Sequence, residues 1–154
     1  LPGEAGFSAP VLDVHEFLSQ LGLSETFQAQ LQPLPKAVAY HDACHMIHGQ
    51  GIAAQPRQLL RAIPGLQLRE ATEAGVCCGS AGIYNLVQPE EAAALGQIKA
   101  ADLTGTGAEL IASANIGCSL QIRQHLGPDG PPVLHPMQLL ALSAGLLPAT
   151  ASNA

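Results

Sequence analysis

The sequence predicts an α/β fold: a parallel sheet flanked by helices in three layers, Rossmann-like, with cysteines at the carboxyl ends of its strands. Three observations carry that expectation. Short apolar runs alternate with helix-patterned segments along the chain. Most of the runs are apolar throughout instead of alternating with polar residues, as strands covered on both faces are. Prolines and glycines punctuate most junctions between them.

The elements follow in order. "APVLDVHEFLSQLGL" reads as a helix capped by Asp13, with Val14, Phe17, Leu18 and Leu21 on one face. The prolines of "QPLPKAVAYHDAC" mark a linker, and residues 37–40 form a short strand that delivers Cys44 just past its end. "QPRQLLRAI" is a helix started by Pro56 and stopped by Pro64 and Gly65. "LQLREA" alternates like a strand and leads into a glycine-rich loop holding Cys77 and Cys78. "QPEEAAALGQIKAADLTGTG" is the clearest helix: Pro89, Glu90 and Glu91 suit its first turn, and Gly105 and Gly107 close it. "AELIASANIGC" reads as a buried strand ending at Cys118, followed by a short helix "SLQIRQHL", a strand in "PPVLH" and a last helix "PMQLLALSAGLL". The expected organisation is a leading helix and Pro-rich linker over 1–35, the α/β domain over 36–148 and a disordered tail over 149–154.

Composition narrows the function. The formal charge is −6, and the lysines and arginines are scattered, so no phosphate-tracking basic patch exists and nucleic-acid binding is not expected. Charged residues make up only 12% of the chain, against a usual ~25%, which suggests a surface meant to be covered by a partner. No apolar run reaches the ~18–20 residues of a membrane span. The opening "LPGEAG" has neither an initiator Met nor a signal peptide, and reads as a piece of a longer, cytoplasmic polypeptide.

The four cysteines carry the chemistry. In a parallel sheet the loops after successive strands leave at one edge, so Cys44, the Cys77–Cys78 pair and Cys118 can converge there. Inside a strand, adjacent side chains point to opposite faces. The loop with Gly75, Gly79 and Gly82 frees Cys77 and Cys78 from that constraint. Four thiolates match an iron–sulfur ligand set. Other readings stay open: cysteines as small core residues, a vicinal disulfide, or structural zinc, although the short C-x2-4-C pairs usual for zinc are absent. His41, Asp42, His45 and His48 crowd Cys44. His41 or His45 can hydrogen-bond a cluster sulfur, or simply cap the strand end. Tyr84 and Asn85 pack or cap beneath the loop, and Asn115 shapes a turn.

"YHDACHMIHGQG", "QPRQLLRAIPG", "CCGSAGIYNLVQP", "TGAELIASANIGCSLQI" and "VLHPMQLL" occur in this order, and together resemble the C-terminal cysteine-rich (CCG) domain of the glycolate oxidase iron–sulfur subunit. The wider family includes a cysteine-rich subunit of heterodisulfide reductase and lactate-utilisation iron–sulfur proteins. The resemblance spans roughly residues 36–146. It implies an α/β fold and an electron-transfer subunit of a glycolate-oxidising (glycolate dehydrogenase) complex, not itself the site of substrate oxidation. It also implies a cluster, expected as 4Fe–4S, on Cys44, Cys77, Cys78 and Cys118. FAD would sit on partner flavoprotein subunits, and an N-terminal part of the same subunit would carry two further clusters. The complex would be cytoplasmic, or peripheral on the inner membrane. The alternative is a docking module for the flavin subunits, with zinc or no metal. One position departs from the related C-x-x-C pattern: Gln121 stands where the second thiol would be. Its amide is expected to hydrogen-bond near the cluster or to cap the loop.

Overall fold

The computed structural model describes residues 9–148. The expected tail, 149–154, lies outside them. Four strands, β1 (Ala37–His41), β2 (Gln67–Glu70), β3 (Leu110–Ser113) and β4 (Val133–Leu134), form one all-parallel sheet in the order β2-β1-β3-β4. Helices link them: α3 (Ala54–Arg61) between β1 and β2, α4 (Tyr84–Val87) and α5 (Pro89–Gly105) between β2 and β3, and α6 (Ile116–Leu126) between β3 and β4. Helices α1 (Val14–Leu21) and α2 (Glu25–Gln30) precede the sheet, and α7 (Pro136–Ser143) follows it. The α/β architecture with a parallel sheet is the one the alternating apolar runs imply.

Register sets which side chains share a face. β1 pairs with β3 so that Ala39 opposes Ile111 and His41 opposes Ser113. Ala39, Ile111 and Val133 pack with Leu103 of α5 and Ile122 of α6. The alternate residues, Val38, Tyr40, Ala112 and Leu134, pack instead with Leu60 of α3 and Leu139 of α7. His41 has the parity of Ala39, so it belongs to the α5–α6 face, where Cys78 and Cys118 also lie.

Three local features differ from expectation or refine it. The run expected to continue as strand to Cys118 stops at Ser113, because Asn115 caps α6: its side chain accepts the Cys118 N–H at 2.9 Å. Cys118 therefore sits in the first turn of a helix, and Asn115 works as an N-cap with ordinary φ, not as a positive-φ turn residue. Asp13 does cap α1, accepting from the His15 N–H at 2.8 Å. The face α1 buries is marked by His15, however, while Val14, Phe17 and Leu21 are exposed. Leu21 borders an open apolar groove of about 530 Å³ lined also by Leu18, Leu23, Phe27 and Leu140. Among the described residues no helix is long and apolar enough to cross a membrane.

Candidate metal centre

The site is built from three strand ends. After β1 the chain turns through Asp42 and Ala43 into Cys44 and then a π-helical turn, Met46–Gln50, closed by Gly51 in the left-handed conformation. Arg57 of α3 fixes this turn. It donates to both Asp42 oxygens, at 2.8 and 2.6 Å, to Glu70 at 2.8 Å and to the Ala53 carbonyl, and stacks over the Tyr40 ring. One mostly buried guanidinium thus joins the ends of β1 and β2 to α3. Its hydrogen bonds to Asp42 and then Glu70 hold it firmly protonated.

The loop after β2 is clamped from α5. Asp102 accepts from the backbone N–H groups of Thr72, at 2.9 Å, and Glu73, at 3.1 Å. Lys99, buried despite its charge, donates to the Glu73 carbonyl and lies 3.7 Å from Asp102. Past this clamp come Cys77 and Cys78, and Gly79 at φ +89°. A Cβ there would lie 2.3 Å from the Ala92 carbonyl oxygen of α5. Only glycine permits both the dihedral and the approach. The turn brings successive N–H groups toward successive sulfurs: Gly79 N–H donates to Cys77 Sγ at 3.4 Å, and Ser80 N–H lies on the side of Cys78, favouring its thiolate. This explains why two adjacent cysteines precede a glycine. The loop rests on the start of α6, where a Cβ on Gly117 would lie 3.1 Å from Ser80 Oγ.

All four cysteines are free thiols, and they influence one another. Cys78 and Cys118 are buried; Cys44 and Cys77 are partly exposed. The Cys118 thiol bonds Cys78 and holds it well below the ordinary thiol range against the opposing effect of burial, with further help from the nearby His41 and Ser80 N–H. Cys118 moves the opposite way: donating to Cys78, burial, and the nearby Cys78, Cys44 and Cys77 all disfavour its ionisation. Burial raises the Cys77 thiol too, opposed by Gly79 N–H and reinforced by Cys78 and Cys44. Without a cation, ionisation is favoured at Cys78 and disfavoured at Cys77 and Cys118. A bound cation reverses the latter effect.

His41 stands in the same pocket. The ligating atoms of His41, Cys78 and Cys118 all lie within 4.8 Å of one another, and all three residues are buried. Among the described residues, neither ring nitrogen of His41 has a hydrogen-bond partner. Soft thiols with an imidazole whose buried nitrogens are orphaned form a donor set suited to iron or zinc. The other histidine considered, His45, is exposed. Gln121 is buried, and its amide donates to the Ala92 carbonyl at 3.1 Å and pairs with His125 at 3.3 Å. It thus braces the carbonyl against which Gly79 packs. The Lys99–Asp102 clamp escapes notice in the sequence, since a helix with Glu, Lys and Asp reads as a solvated surface.

Fold and site together define an all-parallel α/β domain with a cluster of buried thiols and an imidazole at the carboxyl edge of its sheet. The chain belongs to the CCG cysteine-rich domain family, which matches residues 38–123. It is 34% identical over 137 residues to a subunit of the fumarate reductase (CoM/CoB) of Methanothermobacter marburgensis, covering 89% of this chain and 27% of that protein. To the probable glycolate oxidase iron–sulfur subunit of Bacillus subtilis it is 41% identical over 96 residues, 62% of this chain and 22% of the relative. Lactate utilization protein A 1 of Bacillus mycoides is 29% identical over 118 residues, 77% of this chain and 47% of the relative. The chain thus spans between a fifth and a half of the length of these relatives.

Proposed function

We propose that this domain holds an iron–sulfur centre on Cys44, Cys77, Cys78 and Cys118 and relays electrons within an oxidoreductase complex. The observation that supports this most directly is the meeting, at one sheet edge, of Cys78, Cys118 and the unpartnered His41 from three strand ends, with Cys77 and Cys44 close enough to influence them. Such a centre, when bound, accepts and releases single electrons. The protein's own residues supply the rest. The α5 clamp and Gly79 set the loop, and N–H groups of Gly79 and Ser80 stabilise thiolates. The amino end of α6 adds a favourable dipole at Cys118. Burial of Cys78 and Cys118 keeps water from two of the sulfurs, while the partly exposed Cys44 and Cys77 open the site toward a redox partner.

In the finer reading the cluster is 4Fe–4S and the domain is the C-terminal part of a glycolate-oxidising complex. Electrons arise where FAD-bearing partner subunits oxidise glycolate, or another 2-hydroxy acid, in the cytoplasm or at the inner membrane face. The names of the Bacillus relatives favour a hydroxy-acid substrate. A second reading, a zinc-bearing docking module, draws on the mixed sulfur and nitrogen donors around Cys78. Anaerobic purification with iron, zinc and acid-labile sulfide analysis separates the two. Iron and sulfide in comparable amounts are expected, and Cys44→Ser, Cys77→Ser, Cys78→Ser and Cys118→Ser should each lower bound iron. Zinc without sulfide, or full iron in all four variants, overturns the assignment.

A further inference from the structure

The strongest unexplained feature of the molecule is His41. Its ring is 2% exposed, yet both nitrogens lack a partner among the described residues. Two other histidines each keep one bonded nitrogen: His15 Nδ1 lies 2.7 Å from the Asp13 carboxylate, although its Nε2 is also unpartnered, and His135 Nδ1 accepts from the Met137 N–H at 3.1 Å. Burying an imidazole with nothing to bond is unfavourable, and native cores rarely tolerate it. The position is also rigid. His41 is the last residue of β1, in register with Ser113 of β3, and the Arg57–Asp42 pair locks the residue that follows.

We propose that His41 is itself a metal ligand, sharing one metal ion of the centre with Cys78 and Cys118 and leaving Cys44 and Cys77 at its rim. This rests on the reading that the cysteines hold a metal centre. Spacing distinguishes a ligand from a mere neighbour. Metal–sulfur bonds of ~2.3 Å and metal–nitrogen bonds of ~2.0–2.1 Å put the ligands of one tetrahedral ion ~3.5–3.8 Å apart. The three donors here are mutually within 4.8 Å, so side-chain closure of at most about 1 Å seats a single ion among them. Apart from the Cys78 and Cys118 thiols beside it, the described residues offer the imidazole no hydrogen-bonding group. A neutral imidazole in place of a thiolate lowers the negative charge of the centre, which raises its reduction potential. On this basis His41, and not a fifth cysteine, completes the ligand set at the buried side, and the absence of a thiol at Gln121 has a structural counterpart.

The test is pulsed EPR of the anaerobically purified protein, in its paramagnetic oxidation state, with natural-abundance and then 15N-labelled histidine. A strong nitrogen coupling that changes with the isotope and disappears in His41→Cys, with iron retained and the potential lowered, is the expected result. Iron and sulfide present but no such coupling overturns the ligand assignment and leaves the centre intact. If iron and sulfide are absent, the electron-transfer reading falls by itself. His41 is then judged by titrating the metal-free protein with Co²⁺: absorption bands that shift between wild type and His41→Cys support ligation, and identical bands overturn it. The labelled wild type decides the first arm alone, so a variant that fails to fold leaves no gap.

Discussion

Gly79 concentrates the demands of the site in one residue. It adopts φ +89° while its α-carbon faces the Ala92 carbonyl so closely that a methyl group would sit 2.3 Å from the oxygen. A side chain in left-handed backbone costs ~1–2 kcal/mol and overpacking against a backbone atom ~1–3. Gly79→Ala should therefore lose roughly 3 kcal/mol in urea unfolding, where the open position of Gly82 should lose only the conformational part. Equal losses at Gly79 and Gly82 would show that the Ala92 contact matters little. Asp13 makes a smaller, pH-dependent contribution. Burial opposes its charge, but the His15 N–H and ring outweigh that and hold its carboxyl below the usual carboxylate range, with His135 contributing. A depressed folded pKa means that its stabilisation is complete above ~3.9, the unfolded value, and fades as pH falls through the lower folded value. Because the group is largely solvated, the contribution is well under ~1 kcal/mol. NMR titration of the Asp13 carboxyl should give a midpoint below that of a free aspartate; a midpoint at or above it contradicts the His15 contact.

Between elements, two arginines of α3 offer a controlled comparison. Arg57 is mostly buried, bonded to a buried Asp42 and to Glu70, and spans three elements. Arg61 lies 3.7 Å from the same Glu70 but is exposed. Removing one member of a buried pair costs about 3–5 kcal/mol, whereas an exposed pair contributes ~1 kcal/mol or less. Arg57→Ala should lower the urea midpoint severely and Arg61→Ala barely, and similar effects would mean that the Asp42 pair is not what secures the β1 turn. This scale also shows what is legible in the sequence. Strands β1, β3 and β4 come through as apolar runs, β2 by its alternation, and α5 through Pro89 and its glutamates, because burial and capping chemistry are written locally. The sequence overstates the length of β3 because "ASANIG" is apolar enough for strand, while the capping of Cys118 N–H by Asn115 depends on backbone geometry. Helix α2 has a signal in Ser24, whose hydroxyl accepts from the Phe27 N–H, but only six residues to display it. The π-helical turn after Cys44 has no sequence signature at all. That the loops after β1, β2 and β3 leave at one edge is legible from topology. The burial of His41 is not, since its parity emerges only once β1 is paired with β3.

For the whole molecule, the arrangement couples the site to the fold. Its candidate ligands follow β1, β2 and β3, so one bound centre crosslinks loops far apart in the chain, from Cys44 to Cys118. Without it, the edge keeps an unpartnered imidazole beside Cys77 and Cys118 thiols that are held back from ionising. Binding relieves both, and because an unfolded chain holds no such pocket, the binding free energy appears as folding stability. A ligand present at about a hundred times its dissociation constant adds about 2.7 kcal/mol. The loaded protein should therefore melt several degrees above the same protein stripped by chelation under reducing conditions, and Cys78→Ser should lose most of that increment. Amide exchange should locate the difference. Protection should drop around residues 42–48, 72–80 and 114–118 on stripping, yet persist in Val38, Ile111 and Leu139, whose packing does not depend on the site. Equal melting of loaded and stripped protein would mean that the edge is preformed and the centre merely occupies it. Loss of protection throughout would mean instead that the sheet itself requires the centre to hold together.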